Sequence, residues 1–95
     1  MPEQEINFAL EGDVVRDKVK EIKENVLKLI QDKEDVQLVL DLKKVSVLDV
    51  FGIGLIFACY NSLKQKNGRL KLINVSDELK KLFDMLELDK YLELA

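Results

Sequence analysis

The run Val36-Gln37-Leu38-Val39-Leu40-Asp41-Leu42 constrains this chain most, because it is almost wholly apolar and rich in branched side chains. Such a run suits a central strand covered on both faces, as in parallel sheets. The segments flanking it have a different period. Val15, Val19, Ile22, Val26, Leu29 and Ile30 recur every three or four residues, which puts one apolar stripe on a helix over about 14–32. Lys18, Lys20, Glu21, Lys23 and Glu24 then fall on its solvent side. Leu55, Ile56, Cys59, Tyr60 and Leu63 make a second such stripe, on a helix from near Phe51 to Lys66. Leu79, Leu82, Phe83 and Leu86 make a third, behind Ser76 as N-cap and with Asp77 and Glu78 in the first turn, where the helix dipole favours acids.

Two further strands complete the pattern. Ile6, Phe8 and Leu10 alternate with Asn7, Ala9 and Glu11, the period of a half-buried strand. Leu70, Leu72 and Ile73 mark another, ending near Val75. Gly12 is the natural turn residue after the first strand, and Gly68 suits the left-handed position that closes a helix. The order β-α-β-α-β-α predicts a mostly parallel sheet with helices packed on it. We expect a single domain over 1–95, with Met1 to Glu5 frayed and the tail from Leu88 to Leu94 either a short helix or a last strand.

A chain of 95 residues buries roughly 60–70% of its unfolded surface and can fold unaided. Its net charge of −3, without a concentrated basic face, disfavours nucleic acid. There is no histidine, which removes the usual catalytic triad and most zinc sites. Cys59 has no partner for a disulfide and reads as a small core residue. The most apolar stretch, Val45 to Tyr60, is broken by Asp49, Gly52 and Gly54, so no membrane span is expected. These features point to a cytoplasmic, non-enzymatic protein with no cofactor and no metal.

In open α/β sheets, partners meet the loops that leave the carboxyl ends of the strands. Here these are Glu11-Gly12-Asp13, Leu48-Asp49-Val50-Phe51-Gly52 and Asn74-Val75-Ser76, which supply the candidate partner-binding residues Gly12, Asp13, Asp49, Val50, Phe51, Gly52 and Ser76. Asp49 either caps the helix after it, joins a recognition surface, or does both. Gly52 and Gly54 allow either tight packing of that helix or close approach of a partner backbone. Val50 and Phe51 are either covered by a neighbouring loop or form an exposed apolar anchor of the kind that dominates protein interfaces.

The stretch from Leu40 to Asp49, followed by Val50-Phe51-Gly52-Ile53-Gly54-Leu55-Ile56, resembles the signature of STAS domains, the anti-sigma factor antagonists of bacteria and their relatives. The resemblance continues in Asn67-Gly68, in Val75-Ser76 and in Leu86-Glu87-Leu88-Asp89-Lys90-Tyr91, and covers the chain from about Ile6 onward. It implies a four- or five-stranded mixed sheet with helices mainly on one face. It also implies a signalling role in transcription regulation: the domain binds an anti-sigma factor, a GHKL-type serine kinase, and so frees the sigma factor. Phosphorylation of the Ser after the motif Asp ends that binding, through added negative charge.

The sequence departs from the family at the switch itself. Val50 stands at the acceptor Ser position and has no hydroxyl, Phe51 replaces the small residue after it, and Val15 replaces the acid that closes a Gly-acid-apolar-Asp run. Ser46, Ser62 and Ser76 are not at the acceptor position. The expected protein is therefore an antagonist-like binding module that the usual phosphorylation cannot switch. The alternatives are a scaffold subunit of a stressosome or lipid-transport complex, and a small-ligand sensor walled by Val50 and Phe51.

Overall fold

A computed structural model describes residues 4–94. The elements are β1 (Gln4–Ala9), α1 (Arg16–Ile30), β2 (Val36–Asp41), α2 (Val50–Lys64), β3 (Arg69–Ile73), α3 (Asp77–Met85), a 3-10 turn (Leu88–Lys90) and β4 (Glu93–Leu94). The described strands form one sheet in the order β1-β2-β3-β4, and every neighbouring pair is parallel. The sheet is therefore parallel rather than mixed, because a helix or helical turn carries the chain back after each of the first three strands.

Strand order decides which face is covered. When successive strands are neighbours and step in one direction, right-handed crossovers leave every helix on the same side. Ile6, Leu38 and Leu70 are in register on that side, as are Phe8, Leu40, Leu72 and Leu94. They join Val26 and Ile30 of α1, Leu55, Ile56, Cys59 and Leu63 of α2, and Leu79 and Phe83 of α3 in one core. Each large side chain buried there contributes about 1.5–3 kcal/mol.

Cover on both faces of β2, expected from its apolar run, is not found. The opposite face aligns Glu5 with Gln37 and Arg69, and Asn7 with Val39, Lys71 and Glu93. Val39 is buried on that face, between Asn7 and Lys71, and lies outside the helix-covered core.

Several boundaries move for identifiable reasons. Of the segment expected to fray, Met1 to Glu3 lie outside the described residues, whereas Gln4 and Glu5 pair with Val36 and Gln37. α1 starts at Arg16 because Val14, off the periodic stripe yet fully buried, is drawn into a parallel bridge with Leu48. Gly12 bends the chain without a positive φ, so that turn does not need glycine. After α2 the left-handed residue is Asn67, at φ 56°, rather than Gly68. Gly68 is required for a different reason: a Cβ there would lie 2.7 Å from the Val36 carbonyl oxygen. Leu86 is the C-cap of α3 and is exposed instead of facing inward. The tail contains both expected forms, the 3-10 turn and then β4.

Candidate functional site

The connector after β2 runs back beside the loop after β1. The Val14 N–H donates to the Val47 carbonyl at 3.0 Å, and the Asp49 N–H donates to the Val14 carbonyl at 3.4 Å. Asp13 joins this pairing through one carboxylate oxygen, which accepts the N–H groups of Ser46 at 3.0 Å and Val47 at 2.9 Å. Asp41 ties the third loop to the second, accepting from the Lys43 N–H and the Asn74 side-chain amide, both at 2.9 Å. The Asn74 bond is the main reason that the Asp41 carboxyl titrates below its ordinary value, and the Lys43 N–H adds to it. Ser76 serves its own helix, accepting the Leu79 N–H at 3.2 Å.

Asp49 caps two helices at once. One carboxylate oxygen accepts the Gly52 N–H of α2 at 2.9 Å, and the other accepts the Arg16 N–H of α1 at 3.0 Å. Val15 is the N-cap residue of α1 and offers no side-chain acceptor. The acceptor missing at the start of α1 is thus supplied from 33 residues away. Two helix N-termini, each rich in unpaired N–H groups, favour the ionised carboxylate. The Gly52 N–H is the largest cause of its lowered pKa and the Arg16 N–H assists.

Anchoring Asp49 also sets the position of the two residues after it. Val50 is 73% exposed and Phe51 48% exposed, so neither is covered by a neighbouring loop. Val47, 51% exposed, extends this apolar group. The Arg16 guanidinium lies 5.3 Å from the Phe51 ring centroid, a cation–π contact worth about 0.5–1 kcal/mol at an exposed site.

The two glycines of the motif have opposite surroundings. A Cβ on Gly52 would collide with the Val14 carbonyl oxygen and lie 2.7 Å from Leu48 Cδ1, so Gly52 is needed for packing. A Cβ on Gly54 would meet nothing within 4 Å, and Gly54 is exposed.

Asp13, Asp49 and Gly52 thus build the loop framework, and Val50 and Phe51 are displayed on it. Gly12 is half-buried in the first loop and Ser76 stands apart as the α3 cap. Sequence reasoning missed Val47 and Arg16. Val47 carried a readable signal, an apolar residue in a polar connector, whereas nothing local marks Arg16 as a neighbour of Phe51.

This fold and loop geometry define a class: the chain belongs to the STAS domain family, whose model matches residues 3–95. It is 32% identical over 89 residues to the anti-sigma-B factor antagonist of Listeria monocytogenes, a match spanning 94% of this chain and 77% of the relative. The anti-sigma-B factor antagonist of Bacillus subtilis is 31% identical over 91 residues, spanning 96% of this chain and 80% of the relative. Among solved structures, the anti-sigma factor antagonist SpoIIAA in its unphosphorylated form superposes with a TM-score of 0.79 at 22% identity, covering 99% of this chain and 82% of that one. A sulfate transporter family protein from Wolinella succinogenes has the same fold, with a TM-score of 0.78 at 18% identity over 97% of this chain and 78% of that one. The fold alone therefore does not select a function.

Proposed function

We propose that this chain is an anti-sigma factor antagonist whose recognition surface is the start of α2, and that phosphorylation at position 50 does not switch it. The observation that carries this reading is the exposure of Val50 and Phe51, at 73% and 48%; the resemblance in sequence puts Val50 where the family has its acceptor serine. Solvent-exposed apolar anchors held on a rigid cap are what an interface hot spot requires. The two relatives bear the antagonist name along most of this chain, which supports the same role. SpoIIAA has been solved in unphosphorylated and phosphorylated forms, so members of this fold exist in both states.

The partner in this reading is a GHKL-type serine kinase acting as anti-sigma factor, and Val50 gives it nothing to phosphorylate. The protein works by binding and catalyses nothing. The cytoplasm is its place of action; no helix among the described residues is long and apolar enough to cross a membrane. The partner-binding set is Val50 and Phe51, presented by Asp49 and Gly52 and backed by Gly12 and Asp13. Ser76, in the third loop, stands apart from this set as the α3 cap.

Affinity purification of the tagged chain from its own cell extract, with Val50→Asp beside it, tests this reading. Recovery of an anti-sigma factor with the native chain and its loss with the variant sustains the reading. Recovery of other subunits regardless of Val50 identifies a scaffold instead.

A further inference from the structure

Gly54 is an exposed glycine in the interior of α2, where the fold has no use for one. A Cβ there would meet nothing within 4 Å, in contrast to Gly52, where one collides with backbone. Glycine lowers helix stability at such a position, so the fold alone would favour alanine. The surroundings of Gly54 are also unusual. Val50, Gly54, Phe57 and Asn61, spaced by four, three and four residues, share one helix face. Val50 and Gly54 on that face are exposed and Phe57 is half-buried, so a largely apolar ridge faces solvent with a side-chain-free notch in it.

The charged side chains of α2 itself are of one sign, with Asp49 as its N-cap and Glu93 beside Lys64, Tyr60 and Tyr91 at its other end. α2 contains no acidic residue, although the chain as a whole carries −3. A cation flanks the ridge on either side: Arg16 over Phe51 at 5.3 Å near the start of the helix, and Lys64 over Tyr60 at 5.8 Å near its end. Tyr91 continues the apolar surface beyond the helix, its ring edge-on to Phe57 at 6.5 Å and to Tyr60 at 6.2 Å.

We propose that a helix of the anti-sigma factor lies across α2 and crosses it at Gly54, with its apolar stripe on Val50 and Phe57 and acidic side chains facing Arg16 and Lys64. This rests on the antagonist reading above and adds to it the form and chemistry of the partner's contact element. The missing Cβ lets the two backbones approach more closely than any side chain would allow. A helix with no acid of its own and a cation on each flank favours an apolar partner helix with acidic edges over a basic one.

The test measures the affinity of purified anti-sigma factor from the same organism for the native chain and for Gly54→Ala, Gly54→Gln, Val50→Asp and the double variant Arg16→Glu/Lys64→Glu. Melting curves are recorded for each. Gly54→Ala is expected to raise the melting temperature by about 4 °C and to weaken binding about tenfold, with Gly54→Gln weaker still, by about a hundredfold. The double charge variant is expected to slow association and reduce its salt dependence. Unchanged affinity in both Gly54 variants, while Val50→Asp abolishes binding, overturns the crossing and leaves the antagonist reading in place. No binding by the native chain overturns both.

Discussion

The Asp49 carboxylate accepts the backbone N–H of Arg16 at 3.0 Å while also capping its own helix through Gly52 at 2.9 Å. One side chain thereby fixes the relative placement of the α1 and α2 N-termini, and with them the Arg16–Phe51 contact. The exposed residues Val50 and Phe51 therefore sit on a support fixed from two directions.

Asp49→Ala removes both caps, whereas Ser76→Ala removes one, which typically costs about 1 kcal/mol. The Asp49 variant is expected to show the larger fall in melting temperature. Amide hydrogen exchange should accelerate at Arg16 and Gly52 together. Acceleration at Gly52 alone would show that the α1 cap contributes nothing.

Acid sensitivity arises from the same carboxylate. Its folded pKa lies below that of an ordinary aspartate, so its contribution is fully present above the unfolded value and is lost as pH falls through the folded one. Asp41 has the same sign. Stability of the native chain should fall below about pH 4, and more steeply than that of Asp49→Asn, which keeps a single acceptor and has no charge to lose. Parallel pH profiles for the two proteins would refute the assignment.

Gly52→Ala introduces a methyl group against the Val14 carbonyl oxygen, and backbone there cannot yield cheaply. A loss of about 2 kcal/mol or more is expected in denaturant melts. An unchanged midpoint would mean that the loop pairing at Val14 and Leu48 shifts without cost.

Val50→Asp places an acid at the first residue of α2 on a side chain already 73% exposed. Binding is expected to be lost with the melting temperature unchanged or slightly raised, since the helix dipole favours an acid at this end. Val50→Ser is expected to restore an acceptor, so that incubation with the partner kinase and ATP adds one phosphate. Phosphate transfer to the native chain at another hydroxyl would overturn the unswitched reading.

Cys59 is 1% exposed and burial pushes its thiol up to about 11. At pH 8 the folded chain should resist iodoacetamide and the denatured chain should react fully. Rapid labelling of the native protein would show that the core opens around α2.

The inward stripes of the three helices were legible because a helix repeats every 3.6 residues and a single face must be buried. The Ser76 cap was legible for the same local reason, since a cap and its recipient are three residues apart. The Asp49 bond to Arg16 was not, because its partners are 33 residues apart and the missing acceptor at Val15 leaves no local sign of what replaces it.

The alternation of strands and helices, most of the core-facing helix residues and the weight of the Asp49–Gly54 motif can be read from the chain alone, because all of these depend on near neighbours. Which face of β2 stays open is fixed in three dimensions, by strand order: crossovers of one hand in one direction leave Val39 among polar neighbours instead of under a helix. The tertiary structure alone also decided that Gly52 is packed and Gly54 bare, and that Val50 and Phe51 face water. Exposure depends on which distant segments come to lie beside a residue, and no local period encodes that.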